Sequence, residues 1–259
     1  LAGGLGTRLR PITNSISKQL LPIYNKPMIY YSLSTLMLSK MQDILLISSP
    51  DDIFSYQKLL GDGSRFGCNL SYAVQEKADG LASAFIIGKD FVGNNPSALI
   101  LGDNLFYGSG LAATLAAADN RSEGATIFGK PVKDPQRYGV ATIGKNAEVS
   151  SIEEKPKNPA SNIAITGLYY YDPQVVDIAS SIKPSARGEY EITDVNNQYI
   201  LLNSLNLEIL PRGFVWLDTG THNSMLEASQ FVHAIENRTN SMIGCIEEIA
   251  LNNGWITIE

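Results

Sequence analysis

Short apolar runs of strand length alternate with stretches of helical periodicity along this chain, and that alternation restricts its fold more than any other feature. A strand shows apolar residues on a period of two or in one continuous run, whereas a surface helix repeats them every three to four positions. Strand-like runs fall at 44–48, 70–75, 98–101, 125–129, 164–171, 207–210 and 215–217. Helical patterns fall at 27–38, 54–60, 81–88, 111–118, 174–182, 192–203 and 223–236. Pro27 in a first helical turn and Asp172-Pro173 ahead of another are start signals, because the first turn does not need proline's missing N–H. Two short alternating runs between Gly139 and Lys155 predict a β-hairpin. Strands separated by helices imply an α/β chain with a mainly parallel central sheet, flanked by helices on both faces. The length of 259 residues suits one large α/β domain or two small ones. Leu1-Ala2 reads as the tail of a first, central strand, so part of the core is expected ahead of Leu1.

The chain begins Leu1-Ala2-Gly3-Gly4-Leu5-Gly6-Thr7-Arg8-Leu9-Arg10-Pro11, and Ser17-Lys18-Gln19-Leu20-Leu21-Pro22 follows. Closely spaced glycines let a backbone turn sharply and approach a ligand, with N–H groups aimed at phosphate oxygens. Residues 1–42 carry five basic side chains (Arg8, Arg10, Lys18, Lys26, Lys40) and no acidic one, although the net charge of the whole chain is −6. A cationic glycine-rich loop on an acidic protein is suited to polyphosphate. A tight turn with incidental arginines is the plainer account of the glycines alone, and Arg8 and Lys18 weigh against it. The loop is neither a Walker A sequence nor a dinucleotide fingerprint: Leu9 stands where the third glycine would follow Gly4-x-Gly6, and Phe66 where it would follow Gly61-x-Gly63. The sequence pI of about 5.0 argues against a nucleic-acid surface. No apolar run reaches the roughly 18 residues of a membrane span.

Two apolar runs end abruptly in aspartate: 98–101 leads into Gly102-Asp103-Asn104, and Phe214-Val215-Trp216-Leu217 leads into Asp218-Thr219-Gly220-Thr221. Ligands of open α/β sheets bind at the carboxyl ends of strands. Two carboxylates meeting there beside phosphate oxygens make a Mg²⁺ site, while turn residues or helix caps are the alternative for each aspartate alone. Ser151-Ile152-Glu153-Glu154-Lys155-Pro156 offers a second phosphate contact and a sugar-hydroxyl acceptor, or an exposed charged hairpin edge. Arg187 supplies another loop cation. His222 follows the Asp218 turn, and His233 sits in a helical pattern as a structural residue. Cys68 and Cys245 lack metal or redox spacing and are expected to be reduced, buried thiols of a cytoplasmic protein. No Ser/His/Asp arrangement supports nucleophilic hydrolysis.

Taken together, the opening loop and 17–22 resemble the signature of sugar-1-phosphate nucleotidylyltransferases. Residues 18–31, Gly61-Asp62-Gly63, Asp79-Gly80-Leu81-Ala82, Leu101-Gly102-Asp103-Asn104, Glu153-Glu154-Lys155-Pro156, Thr166-Gly167-Leu168-Tyr169 and Trp216-Leu217-Asp218-Thr219-Gly220-Thr221-His222 are similar to the branch of that family that uses dTTP and glucose 1-phosphate. The resemblance covers essentially the whole chain. It implies a Rossmann-like sheet with a sugar-binding hairpin subregion, and a Mg²⁺-dependent transfer giving dTDP-glucose and pyrophosphate. It also implies one nucleotidyltransferase domain, with a nucleotide half at about 1–130, a sugar half at about 131–222, and a C-terminal helical region at about 223–259 whose tail is cut short.

By the same resemblance, Arg8 and Lys18 are catalytic, and Asp103 and Asp218 hold the metal. Leu1, Ala2, Gly3, Gly4, Gly6, Thr7, Arg8, Gln75, Gly80, Leu81 and Asp103 line the nucleotide, with Gln75 and the Gly80 backbone on thymine. Tyr138, Gly139, Glu154, Lys155, Gly167, Tyr169, Arg187 and Trp216 bind the sugar phosphate, with Lys155 and Arg187 near its phosphate. One departure is local: Glu76-Lys77-Ala78-Asp79 stands where the family often carries Pro-Ser-x. A homotetramer built as a dimer of dimers, a cytoplasmic location and a regulatory nucleotide-sugar site around 245–250 are further implications, with neither nucleic acid nor membrane as partner. At that site Ile246 replaces a frequent Pro, and Asn252-Asn253 stands where relatives often carry a basic residue; a helix simply packing on the sheet is the other reading of the segment. Use of UTP and a non-catalytic nucleotide-sugar sensor are alternatives, the sensor weakened by the presence of Arg8, Lys18 and both aspartates. The absent fingerprint counts against a nicotinamide dehydrogenase.

Overall fold

The computed structural model describes residues 1–145 and 148–258. In chain order the elements are β1 (Pro22–Ile23), β2 (Lys26–Pro27), α1 (Ile29–Leu38), β3 (Asp43–Ser48), α2 (Ile53–Leu60), β4 (Asn69–Val74), α3 (Ser83–Ile87), α4 (Lys89–Val92), β5 (Ser97–Ile100), β6 (Asn104–Tyr107) and α5 (Leu111–Asp119). They continue as β7 (Ala125–Pro131), β8 (Gly139–Ile143), β9 (Val149–Glu154), β10 (Ile163–Tyr171), α6 (Val175–Ser181), α7 (Ile192–Leu201), β11 (Leu205–Ile209), β12 (Val215–Asp218), α8 (His222–Thr239) and α9 (Ile246–Asn252). The chain divides into two compact units. Unit 1 is Leu1–Ala78, Ile100–Leu115 and Phe214–Glu259; unit 2 is Asp79–Leu99 and Ala116–Gly213.

In unit 1, β3 and β4 pair in parallel from Asp43 opposite Asn69 to Ser48 opposite Val74. Ala2 bridges Ser48 in parallel, and its N–H donates to Ile47 O. Leu1 N donates to Ile100 O, and Gly102 N donates to Leu1 O, so Leu1-Ala2 takes strand-like bonds on two sides. β6 and β12 are antiparallel. Helix α1 is buried over most of its length although it carries Ser32, Ser34 and Thr35. Their hydroxyls are satisfied inside the fold: Ser34 and Thr35 donate to Tyr31 O, and Ser32 to Leu101 O or Asn104 O. Pro27 does not open this helix as expected. It pairs with Pro22 in the tight β1–β2 ladder, and α1 begins at Ile29. Ile23, Met28, Tyr31 and Leu105 pack with Ala228 and Val232 of α8 and with Ile243. Helix α8 is fixed at its start by a reciprocal capping box between Thr221 and Ser224.

In unit 2, the strands run in the order β11-β7-β10-β8-β9, with β5 paired to β10. The β11–β7 ladder is parallel, while β10–β7, β10–β8 and β8–β9 are antiparallel. Ladder directions are thus more mixed than the expected mainly parallel sheet, within the expected α/β class. A short connection accounts for the β8–β9 hairpin, and a long crossover through α6 and α7 lets β11 lie parallel to β7. The expected hairpin is β8–β9; residues 146 and 147 in its turn lie outside the described residues. Asp172 holds the turn ahead of α6, accepting the Gln174 N–H through Oδ1 and the Gly124 N–H through Oδ2. The Tyr199 hydroxyl also donates to Asp172 Oδ1, at 2.7 Å.

Cys68 is buried, which pushes its thiol up to about 11. Cys245 corrects the expectation of two buried thiols, because it caps α9 and stays partly exposed; neither is in a disulfide. Among the described residues no helix is long and apolar enough to cross a membrane.

Candidate active site

The glycine-rich loop of unit 1 is shaped by one left-handed residue. Gly6 has φ +57°, and a Cβ there would meet Thr13 at 3.0 Å, so only glycine makes this turn without strain. The Thr13 hydroxyl donates to Gly6 O, and a single 3₁₀ turn, Thr7–Leu9, follows. Leu9 is wholly buried while Arg8 is exposed, so the turn anchors itself through one side chain and presents the next. A second 3₁₀ turn, Lys18–Leu20, carries Lys18. Its neighbours Ser17 and Gln19 are buried and held by the Tyr56 hydroxyl of α2, which lies 2.7 Å from Ser17 Oγ and donates to Gln19 Oε1 at 3.2 Å. The Lys18 ammonium reaches Asp103 Oδ2.

Asp103 immediately precedes β6, and Asp218 is the last residue of β12. Because these strands are antiparallel, with Asp218 opposite Asn104, the start of one coincides with the end of the other. That register, rather than two parallel strand ends, brings the two carboxylates to one place. Thr219 locks the junction: its N–H and hydroxyl both donate to Asp103 O, at 3.2 and 2.8 Å. Gly6, Thr7, Arg8, Lys18, Asp103, Asp218 and Gly220 line one cavity of about 230 Å³. Burial works against the Asp103 charge, but the Lys18 ammonium and the Asn104 amide outweigh it and hold the carboxyl below its ordinary range.

Other expected nucleotide residues of unit 1 cluster near the strand-like start. Ala2 is buried, Gly4 is exposed, and a Cβ on Gly3 would fall 2.2 Å from Gln75 Oε1. Gly3 therefore stands against the buried Gln75 side chain. Trp216, expected beside the sugar, belongs to unit 1 on β12, where its Nε1 donates to Asn104 Oδ1 at 2.6 Å. Gly80 and Leu81 belong to unit 2. Gly80 has φ +116° and lies against the Tyr190 backbone, where a Cβ would clash at 2.4 Å.

The expected sugar-phosphate residues of unit 2 gather around Glu154, at the end of β9. Gly139 pairs with Glu154 across β8–β9, and the Lys155 N–H donates to Tyr138 O. Lys155 turns out of the strand at φ +44°, a conformation lysine seldom adopts, and its ammonium lies 3.0 Å from Glu154 Oε1. Arg187 Nη1 is 3.5 Å from Glu154 Oε1 and 3.5 Å from Glu191 Oε1, and Nη2 is 2.7 Å from Glu189. Burial lowers the affinity of Arg187 for its proton, but the surrounding carboxylates of Glu191, Glu189 and Glu154 reverse the balance and raise it. Tyr169 is buried on β10 and stacks on Tyr171; burial first and then the Glu154 charge push its hydroxyl well up. Gly167 falls within the register shift of β10 between Ile165 and Tyr169. Thr193, which donates to Glu154 Oε2 at 2.8 Å, was not foreseen, and no periodicity marks it. Asn104 was not foreseen as a site residue either, though it stands beside Asp103 in the motif.

Among the described residues no group of three His, Cys, Asp or Glu side chains is placed to cage a metal. Two carboxylates beside two cations on one cavity instead suit an ion that completes its shell from phosphate oxygens and water, as Mg²⁺ does.

Comparison with known proteins places the chain in a family. A family model described as nucleotidyl transferase matches residues 1–235. A glucose-1-phosphate thymidylyltransferase of Neisseria meningitidis is 55% identical over 259 residues, which is 100% of this chain and 90% of that protein. A Bacillus anthracis structure, described as a candidate glucose-1-phosphate thymidylyltransferase in complex with a sucrose, superposes with a TM-score of 0.82 at 41% identity, covering 89% of this chain and 92% of that one. A UDP-glucose pyrophosphorylase complexed with UDP-glucose superposes with a TM-score of 0.80 at 25% identity, covering 90% and 96%. With a glycine-rich loop, two basic side chains and two aspartates converging on one cavity, and a family match over most of its length, the chain belongs to the nucleotidyl transferase family.

Proposed function

We propose that this protein transfers the thymidylyl group of dTTP to α-D-glucose 1-phosphate, making dTDP-glucose and pyrophosphate. The observation that carries the reading is the shared cavity of Arg8, Lys18, Asp103 and Asp218, in a chain 55% identical over its full length to a thymidylyltransferase. A sugar-phosphate oxygen attacks the α-phosphorus in line. One P–O bond forms, the bond to the bridging oxygen breaks, and its electron pair leaves with pyrophosphate. Both reactants are anions, so charge stabilisation and positioning carry the rate.

In this reading Arg8 and Lys18 neutralise the α- and leaving phosphates, and the Gly3–Thr7 backbone supplies N–H donors beside them. Leu1, Ala2, Gln75, Gly80 and Leu81 hold the nucleoside. Glu154, with Tyr138, Gly139, Gly167 and Tyr169, accepts and frames the glucose hydroxyls, while Lys155 and Arg187 bind the sugar phosphate. Both cations lie on Glu154 Oε1, close enough together to share one anion. Asp103 and Asp218 would hold Mg²⁺, which when bound withdraws charge from the triphosphate. The homotetramer and the cytoplasmic location rest on the resemblance alone.

Pyrophosphate release with glucose 1-phosphate, measured separately with dTTP and UTP, tests the reading. Preference for dTTP supports it, preference for UTP replaces it with uridylyl transfer, and nucleotide-sugar binding without turnover replaces it with a sensor. Asp103→Asn and Asp218→Asn should each cut turnover and demand more Mg²⁺; normal Mg²⁺ titrations in both would exclude the metal assignment.

A further inference from the structure

We propose that Trp216 and Asn104 form a relay that orients the Asp103 carboxylate, so that both are positioning residues. The proposal rests on the assignment of Asp103 to the metal. Trp216 Nε1 donates to Asn104 Oδ1 at 2.6 Å, and Asn104 Nδ2 donates to Asp103 Oδ1 at 2.8 Å.

The direction of this chain is dictated by its two ends. An indole nitrogen only donates, so the amide must turn its oxygen to Trp216 and its NH₂ to the aspartate. The two ends of an amide are nearly the same shape, and the donor-only indole and the acceptor-only carboxylate together select one orientation. A reversed amide would place oxygen against an ionised carboxylate. Asn104 is only 4% exposed, so water offers poor compensation there.

The scaffold allows little slack. Thr219 holds the Asp103 carbonyl, Ser32 donates to the Asn104 carbonyl at 3.0 Å, and the β6–β12 register sets Asn104 opposite Asp218. Oδ1 accepts from the Asn104 amide and Oδ2 from Lys18, so the relay fixes the plane of the carboxylate while each oxygen keeps a lone pair for a cation in the cavity.

The test is a double-mutant cycle of Trp216→Phe and Asn104→Ala. It is read by Mn²⁺ titration of the protein with dTTP, followed by electron paramagnetic resonance, and by steady-state kinetics. Each single change should weaken Mn²⁺ binding about ten-fold, the scale of a lost outer-shell partner, and lower kcat. KM for glucose 1-phosphate should stay within about two-fold. The double variant should be no worse than Asn104→Ala, because Trp216 acts only through the amide. Unchanged Mn²⁺ affinity in the single variants overturns the relay, as do additive losses in the double variant. A raised KM for glucose 1-phosphate with kcat intact also overturns it, since Trp216 would then act on the sugar. If Asn104→Ala does not fold, Trp216→Phe, which keeps an aromatic ring on the strand, decides alone by Mn²⁺ affinity. A wild-type protein without thymidylyl transfer would sink the functional reading, while the Mn²⁺ cycle would still report on the relay.

Discussion

Lys18 meets Asp103 because the residues on either side of it are tied to Tyr56, which leaves its own side chain to reach the cavity. An ammonium held in this way acts where charge develops, so Lys18→Ala should lower kcat by about 10²–10³. Arg8 is exposed and less constrained, and Arg8→Ala should fall in the same direction. A rise in KM for dTTP at constant kcat would show uniform binding instead. Lys155 reaches Glu154 from a backbone conformation that a lysine seldom adopts. Lys155→Ala should raise KM for glucose 1-phosphate much more than KM for dTTP; equal increases would break the assignment. The charges of Arg8, Lys18, Asp103 and Asp218 were legible in the sequence. Thr193 and the Trp216–Asn104 bond were not, because a lone Thr or Trp carries no periodic signal.

Among the elements, α8 is pinned to the β1–β2 turn by a buried ion pair. Lys26 Nζ lies 3.2 Å from Glu236 Oε1, with side chains 9% and 10% exposed, and Glu236 also accepts from Asn25 and the Ile243 N–H. Removing one partner strands the other charge inside the fold. Glu236→Ala should therefore destabilise the protein by about 3–5 kcal/mol, measured by urea unfolding. A loss of a few tenths would mean that the pair is solvated in solution. The longer elements matched their periodicity, because three or four turns of helix or five residues of strand carry enough repeats to read. Strand β6 was missed because it follows Asp103 directly and opens on the polar Asn104, whereas β5 and β12, equally short, stand out as apolar runs. Pro27 misled because proline is equally at home in a helical first turn and at the edge of a short ladder.

At the scale of the whole chain, the two units alternate along the sequence, each assembled from separate stretches. The C-terminal segment of unit 1 buries Ile246 and Ala250 and ties the Asn253 amide to Met37 O at 3.0 Å. Those residues serve packing, which leaves exposed Asn252 as the position where a cation would grip a diphosphate. If the segment also forms a regulatory site, inhibition by dTDP-rhamnose should be weaker than in relatives carrying a basic residue there, by about ten-fold, and Asn252→Arg should tighten it. An unmoved inhibition constant in Asn252→Arg would remove this segment's residue-level link to regulation.

By itself the sequence determined where most strands and helices lie, and that a cationic glycine-rich loop opens an otherwise acidic chain. Both are local properties, set by side-chain period and charge within a few residues. The tertiary structure alone decided that Asp103 and Asp218 share a cavity and that Trp216 faces Asn104. It alone decided that Lys155 and Arg187 converge on Glu154. Except for Lys155, which neighbours Glu154 in sequence, each of these contacts joins residues more than 30 positions apart. Shifting the β6–β12 register by one residue would turn every side chain of the strand to the other face and break the Thr219 bonds to Asp103 O, both of which depend on the whole ladder and on no local preference.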